Sequence, residues 1–113
     1  MLNLFPAKHK IENIDFNVAN LDSYFQSHKS NKYPNPDIVI VDPPRAGMHK
    51  KMTEYLPELG AKKIIYVSCN PSTQARDTQI LQSYNYELNK LSVVDMFPHT
   101  PHVETVGIFE KSK

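Results

Sequence analysis

The run Lys63-Ile64-Ile65-Tyr66-Val67-Ser68-Cys69-Asn70-Pro71 constrains this chain more than any other. An apolar, β-rich segment ends at the single cysteine of the protein, and Asn-Pro follows at once. Asn is a good helix N-cap, and Pro is favoured at the first helical position, where its missing N–H costs nothing. The run therefore predicts a strand over 62–69, a turn at Cys69 and a helix from Pro71. In open α/β sheets, ligands and chemistry gather at the carboxyl ends of strands. A helix N-terminus also lowers the pKa of a thiol placed beside it, which favours the nucleophilic thiolate.

The rest of the chain falls into order around this run. Asp37-Ile38-Val39-Ile40-Val41-Asp42 is a second strand, apolar on both faces as buried parallel strands are. Pro43-Pro44-Arg45-Ala46-Gly47 stops it. Residues 48–59 predict a helix with Met48, Met52, Tyr55, Leu56 and Leu59 on one face. Pro57 lies near its end, and Gly60 suits its C-cap. The helix after Cys69 covers 71–83, with Ala75, Ile80 and Leu81 expected to be buried. Residues 86–95 and 103–110 read as two further strands, joined by a loop with two prolines. Upstream, residues 14–19 alternate and read as a short strand. Asn20 and Asp22 follow it in a loop, and Leu21, Tyr24 and Phe25 suggest a short amphipathic helix. Residues 27–36 read as a polar surface loop, and Pro6 breaks whatever helix precedes it. Strand, helix, strand, helix, strand, strand implies an α/β fold: a mostly parallel sheet with a final antiparallel hairpin.

Composition narrows the setting. A chain of 113 residues is one small domain with a modest core, and its formal charge of +1 neither demands nor excludes RNA. One cysteine excludes an intrachain disulfide and a Cys-based zinc cluster. No leader pattern and no apolar run near ~18 residues is present, so a cytoplasmic protein without a membrane partner is expected. Three glycines are present and none forms G-x-G, the turn with which a cofactor-binding α/β domain usually opens. The chain is therefore expected to be the C-terminal half of a larger domain, or to pair with something else. The 37–42 strand would then have a bare apolar edge, and self-association through it is expected.

Three stretches can carry chemistry. Cys69 is either a small buried hydrophobe or a nucleophile at a strand end. In Asp42-Pro43-Pro44-Arg45, a carboxylate at a strand's carboxyl end can reach a ligand from a backbone that Pro-Pro makes rigid, or the loop merely ends the strand. Base-amino methyltransferases place an aromatic residue after a similar Asp/Asn-Pro-Pro; Arg45 stands there instead. In Phe97-Pro98-His99-Thr100-Pro101-His102-Val103-Glu104, the spacing of His99, His102 and Glu104 fits neither a helical His pair nor a standard zinc pattern, so no metal is expected. The stretch is either a solvated loop or the approach to a general base, Glu104.

Taken together, Asp-Pro-Pro-Arg, Ser-Cys-Asn-Pro and Asp-Met-Phe-Pro-His-Thr-x-His-x-Glu, in this order, resemble the C-terminal motifs of the RNA 5-methyluridine methyltransferases. The resemblance covers about residues 14–111. RNA 5-methylcytosine enzymes typically add a second cysteine after their Asp-Pro-Pro-like motif, and no cysteine stands in that loop here. The Asp-Met-Phe-Pro-His-Thr stretch looks more like the ribosomal RNA branch, with 23S RNA as target, than the transfer RNA branch.

The resemblance implies the fold, part of a Rossmann-like class I S-adenosylmethionine-dependent methyltransferase domain, and the roles. Cys69 matches the family's nucleophile and Glu104 its general base. Asp42 matches a contact to S-adenosylmethionine, and Asn20 another. Arg45 lies in the motif and would help to hold the target nucleotide or the loop. Uracil C5 is a poor nucleophile, so a soft thiolate adds to C6 first, and a base later removes the C5 proton. The family's Gly-rich turn and its N-terminal RNA-binding regions have no counterpart in these residues, so weak cofactor binding and little activity are expected of the chain alone. Two other classes stand beside this one. A non-catalytic RNA-binding or interaction module would bind RNA without Cys69. A thiol hydrolase would need a Cys-His pairing motif, and none is present.

Overall fold

Six elements follow one another: β1 (Ile38–Val41), α1 (Lys50–Leu59), β2 (Lys63–Ser68), α2 (Pro71–Ser83), β3 (Tyr86–Val94) and β4 (Glu104–Lys111). The structure is a computed structural model and describes residues 12–14, 20, 23–24, 35–95 and 103–112. The chain divides into two units, Met1–Lys32 and Tyr33–Lys113. In the first, Asn20 opens a helical turn: its Oδ1 accepts from Ser23 N–H at 2.8 Å and its carbonyl from Tyr24 N–H at 3.1 Å. The strand expected over 14–19 lies outside the described residues except at Ile14, which is not in a strand.

The second unit holds these six elements, and its four described strands form one sheet, ordered β1-β2-β4-β3. β1 and β2 are parallel, and β4 is antiparallel to both β2 and β3. Three strands thus run one way and β4 alone runs against them. The last two strands form the expected antiparallel hairpin, but β4 sits between β2 and β3, so the sheet is mixed.

Local chemistry sets the ends of the helices. His49 caps α1 with extended backbone (φ −60°, ψ 145°), its Nδ1 accepting from Lys51 N–H at 3.1 Å. α1 starts at Lys50, later than the expected residue 48, because His49 is its extended N-cap. Pro57 is accommodated in the last turn, and Gly60 closes the helix in the left-handed region (φ 69°), its N–H bonding Pro57 O at 3.2 Å. Asn70 caps α2 as expected: Oδ1 accepts from Ser72 N–H at 3.1 Å, and Pro71 follows.

α2 packs on β2 and β3, and α1 packs against α2. The sheet face beneath the helices carries Val41, Ile64, Tyr66 and Phe109, all buried. Strand pairing places Ile40, Ile65, Val67, Val106 and Ile108 on the other face, where none of them is buried. Two sequence expectations need correction here. β1 is not buried on both faces: Ile38 is 53% and Ile40 67% exposed, because they point away from the helices and β1 is paired on one side only among the described residues. α2 does not bury Ala75, which is exposed, and Ile80 is half-buried; its inward face is Gln74, Asp77 and Leu81. On α1, Leu56 and Leu59 are buried as expected, whereas Met52 and Tyr55 are half-buried and Thr53 goes inside.

One irregularity shapes β3. The register shifts between Leu88 and Lys90, so Leu88 pairs with Phe109, Lys90 with Ile108 and Leu91 with Gly107. Asn89 is the extra residue of a β-bulge. Leu88 and Leu91 both face α2 across it and help to wall a cleft of about 210 Å³ between α2 and β3.

Candidate active site

The site is built where β1, β2 and β4 meet the N-terminus of α2. β2 and β4 are paired as far as Ser68 and Thr105. Cys69 follows Ser68 in the bend where the β2–β4 ladder ends, and Glu104 precedes Thr105 at the start of β4, so both stand at that end of the sheet. Val41 pairs with Tyr66, and Asp42 follows it at the same end of the sheet. Ser68 and Thr105 are buried on the helix side, so strand alternation sends Glu104, within β4, to the opposite face, while Cys69 lies in the bend beyond β2. Asp42 comes one residue after buried Val41, just past the end of β1. Asp42 and Cys69 are exposed, and Glu104 is half-buried.

The turn that presents Cys69 is closed from both sides. Ser68 Oγ donates to Asn70 O and accepts from Asn70 N–H, each at 2.9 Å. Asn70 then reaches across the site: its Nδ2 donates to Arg45 O at 3.0 Å, and the Thr73 hydroxyl donates to the same carbonyl at 3.1 Å. Gly47 N–H closes a turn on Pro44 O at 2.8 Å, and the 42–48 loop lies against the first two turns of α2. Arg45 thus takes part through its carbonyl, with its side chain exposed.

The structure therefore brings Asp42, Arg45, Cys69 and Glu104 to one end of the sheet. Asn20 belongs to the first unit, where its side-chain oxygen caps the turn at Ser23. His99 and His102 lie outside the described residues.

Beneath the site lies a polar layer that sequence reasoning missed. The Tyr66 hydroxyl donates to Asp77 Oδ2 at 2.6 Å, Gln74 Nε2 donates to Tyr66 O at 3.1 Å, and the Thr105 hydroxyl donates to Gln74 Oε1. All four residues are buried. Burial, reinforced by the Asp77 acceptor, holds the Tyr66 hydroxyl well above its ordinary pKa. The signal was present in the spacing: Asn70, Gln74, Asp77 and Leu81 recur on one helical face, although three of them are polar.

M1.HpyAVI, solved as its SAM complex, superposes with a TM-score of 0.65 over 87% of this chain and 53% of that one, at 13% identity. That likeness bears on fold alone. The architecture is that of part of a Rossmann-like α/β domain with a mixed sheet. Residues 23–113 match the tRNA (uracil-5-)-methyltransferase family, and the chain belongs to that family. The 23S rRNA (uracil(1939)-C(5))-methyltransferase RlmD of Pasteurella multocida is 46% identical over 105 residues, 92% of this chain and 23% of that protein. RlmD of Acinetobacter baumannii (strain AB0057) is 51% identical over 85 residues, 75% of this chain and 18% of that protein. The Pyrococcus abyssi tRNA (uracil-54, C5)-methyltransferase, solved with S-adenosyl-L-homocysteine, is 49% identical, with a TM-score of 0.59 over 65% of this chain and 18% of that one. The chain spans about a fifth to a quarter of the length of the curated relatives it matches.

Proposed function

We propose that these residues form the catalytic end of an S-adenosylmethionine-dependent RNA uracil-5-methyltransferase whose target is 23S ribosomal RNA. The observation that supports this is that the β2–β4 ladder ends at Ser68 and Thr105, immediately before Cys69 and after Glu104, with Asp42 just past the end of neighbouring β1. The ribosomal target rests on the RlmD relatives and on the stretch before Glu104.

A uridine stacked in RNA must first flip out to present C5 and C6 to groups at a strand end, at a few kcal/mol. The Cys69 thiolate then adds to C6, forming a C–S bond and moving electron density to C5. S-adenosylmethionine, when bound, supplies the methyl group on an electrophilic sulfonium. Once C5 carries the methyl group, the Glu104 carboxylate takes the C5 proton, the C6–S bond breaks and the thiolate is restored. Exposed Asp42 is suited to accept hydrogen bonds from the cofactor. Asn20 would add a contact through its amide nitrogen, since its oxygen already accepts from Ser23. Arg45, exposed beside the Cys69 turn, would hold the target nucleotide or its phosphate.

We place the reaction in the cytoplasm; among the described residues no helix is long and apolar enough to cross a membrane. These 113 residues alone should hold S-adenosylmethionine weakly, because no G-x-G turn stands among them. The exposed β1 edge is proposed to pair with a second copy of the chain.

The test is a covalent trap. The chain is mixed with S-adenosylmethionine and ribosomal RNA carrying 5-fluorouridine, with Cys69→Ala as control, and read by mass spectrometry. Fluorine at C5 blocks the proton-removal step, so an RNA adduct on Cys69 that disappears in the control is the expected result. The same trap is repeated with the upstream part of the domain added, where a larger yield is expected. Silence in both, with RNA binding that survives loss of Cys69, would replace the enzyme by a non-catalytic RNA-binding module.

A further inference from the structure

Asp77 is a fully buried carboxylate to which the chemistry above gives no part. Burying such a group is costly unless its oxygens are satisfied. Here both are engaged. Oδ2 accepts from Met48 N–H at 2.8 Å and from the Tyr66 hydroxyl at 2.6 Å. Oδ1 accepts from Arg76 Nε at 3.2 Å and Nη2 at 3.0 Å, and that Nη2 also donates to Ala46 O at 3.0 Å. Met48 ends the loop that begins at Asp42, and Tyr66 lies on β2, three residues before Cys69. One side chain therefore joins the loop to the strand that delivers the cysteine.

Gly47 shows how closely the loop is pressed. Its φ is +91°, and a Cβ there would lie against the Arg76 guanidinium, 2.9 Å from Asp77 Oδ2 and 3.1 Å from Thr73 Cβ. Only glycine lets the backbone come this near at that φ. At the middle of the loop, Arg45 O is held by Asn70 and Thr73. α2 thus grips the loop at its middle and at its end, and Asp77 is the buried grip.

We propose that Asp77 is a positioning residue, which clamps the 42–48 loop to α2 and β2 and so fixes Asp42 and Arg45 relative to Cys69. Asp77 itself touches neither cofactor nor RNA. The functional meaning of the clamp rests on the methyl-transfer proposal above; the clamp itself does not.

Native-state hydrogen exchange on the full chain compares the Met48 amide with the amides of β2 and β4. In Asp77→Ala, exchange at Met48 is expected to rise about tenfold to a hundredfold, as for loss of a hydrogen bond to a charged acceptor. The sheet amides should stay within about threefold of the parent chain. Asp77→Asn keeps an acceptor oxygen and should restore most of the protection. Unchanged exchange at Met48 overturns the clamp, and so does an equal rise throughout the sheet. Should the alanine variant not fold, Arg76→Ala decides, since that side chain is 53% exposed and also bonds Ala46. Faster exchange over 46–48 alone supports the clamp, and none overturns it.

The second arm uses the 5-fluorouridine trap with the upstream part added. Asp77→Ala should raise the S-adenosylmethionine concentration for half-maximal adduct by about tenfold or more, with rescue by Asp77→Asn. An unchanged concentration dependence overturns the positioning role. A parent chain that forms no adduct sinks the methyl-transfer proposal instead, and the exchange arm still decides the clamp.

Discussion

β1 and β2 are parallel neighbours of similar apolar composition, yet they live in different surroundings. β2 is paired on both sides, and Ile64 and Tyr66 are wholly buried under the helices. β1 is paired on one side only, with Ile38 and Ile40 more than half exposed. On the face away from the helices, Ile65 and Val67 of β2 are half-buried while Ile38 and Ile40 are exposed, so similar hydropathy yields different burial according to what stands beside the strand among the described residues. The chemistry is placed where the two meet, with Asp42 delivered by the edge and Cys69 by the core.

The contrast can be broken most directly by truncation. Ile64→Ala should cost about 2–5 kcal/mol in urea unfolding, because the cavity it leaves is fully enclosed. Ile40→Ala should stay within about 0.5 kcal/mol. Comparable losses at the two positions would mean that β1 is covered in solution.

A smaller effect sharpens the comparison through protons. Burial holds the hydroxyls of Tyr66 and Tyr86 above their ordinary pKa, with Asp77 adding to the effect at Tyr66. Both groups are neutral below the unfolded value of ~10, so their contribution is intact there. As pH rises past it, the unfolded chain loses these protons first, and stability falls. Tyr66→Phe should flatten that fall by at most about 1.4 kcal/mol per pH unit, read as urea midpoints between about pH 9 and 11. An unchanged slope would mean that Tyr66 is not sealed in the folded state. The smallest effect on folding belongs to the edge. Ile40→Lys should leave the urea midpoint nearly fixed and lower the sedimentation weight at high concentration, if β1 pairs with a second copy. A parent chain that is monomeric at every concentration would end the self-association proposal.

Much of this was legible locally. The Asn70-Pro71 cap, the Gly60 C-cap and the six-element order follow from short-range rules, and the structure has each of them. Three features were not legible. The insertion of β4 between β2 and β3 is a long-range pairing that no local pattern encodes. The exposure of Ile38 and Ile40 depends on what covers their face among the described residues, not on their own side chains. The inward turn of Gln74 and Asp77 runs against the rule that buried positions are apolar, and is possible only because Tyr66, Met48, Thr105 and Arg76 supply partners. Cys69 and Glu104 were legible as a pair of residue types; that β2 and β4 pair directly and end beside them was not.

The bulge at Asn89 gives β3 a tolerance that most strands lack. Losing one residue from a regular strand turns every side chain beyond it to the wrong face. At position 89 the spare residue absorbs the change: with Asn89 gone, Leu88, Lys90 and Leu91 still alternate in phase, and both leucines keep their side of the sheet. A length polymorphism here is silent in the facing pattern and is felt only as a loss of local twist. The strand that walls the cleft beside α2 has its own slack, and the lineage can lengthen or shorten it there without rewriting the core.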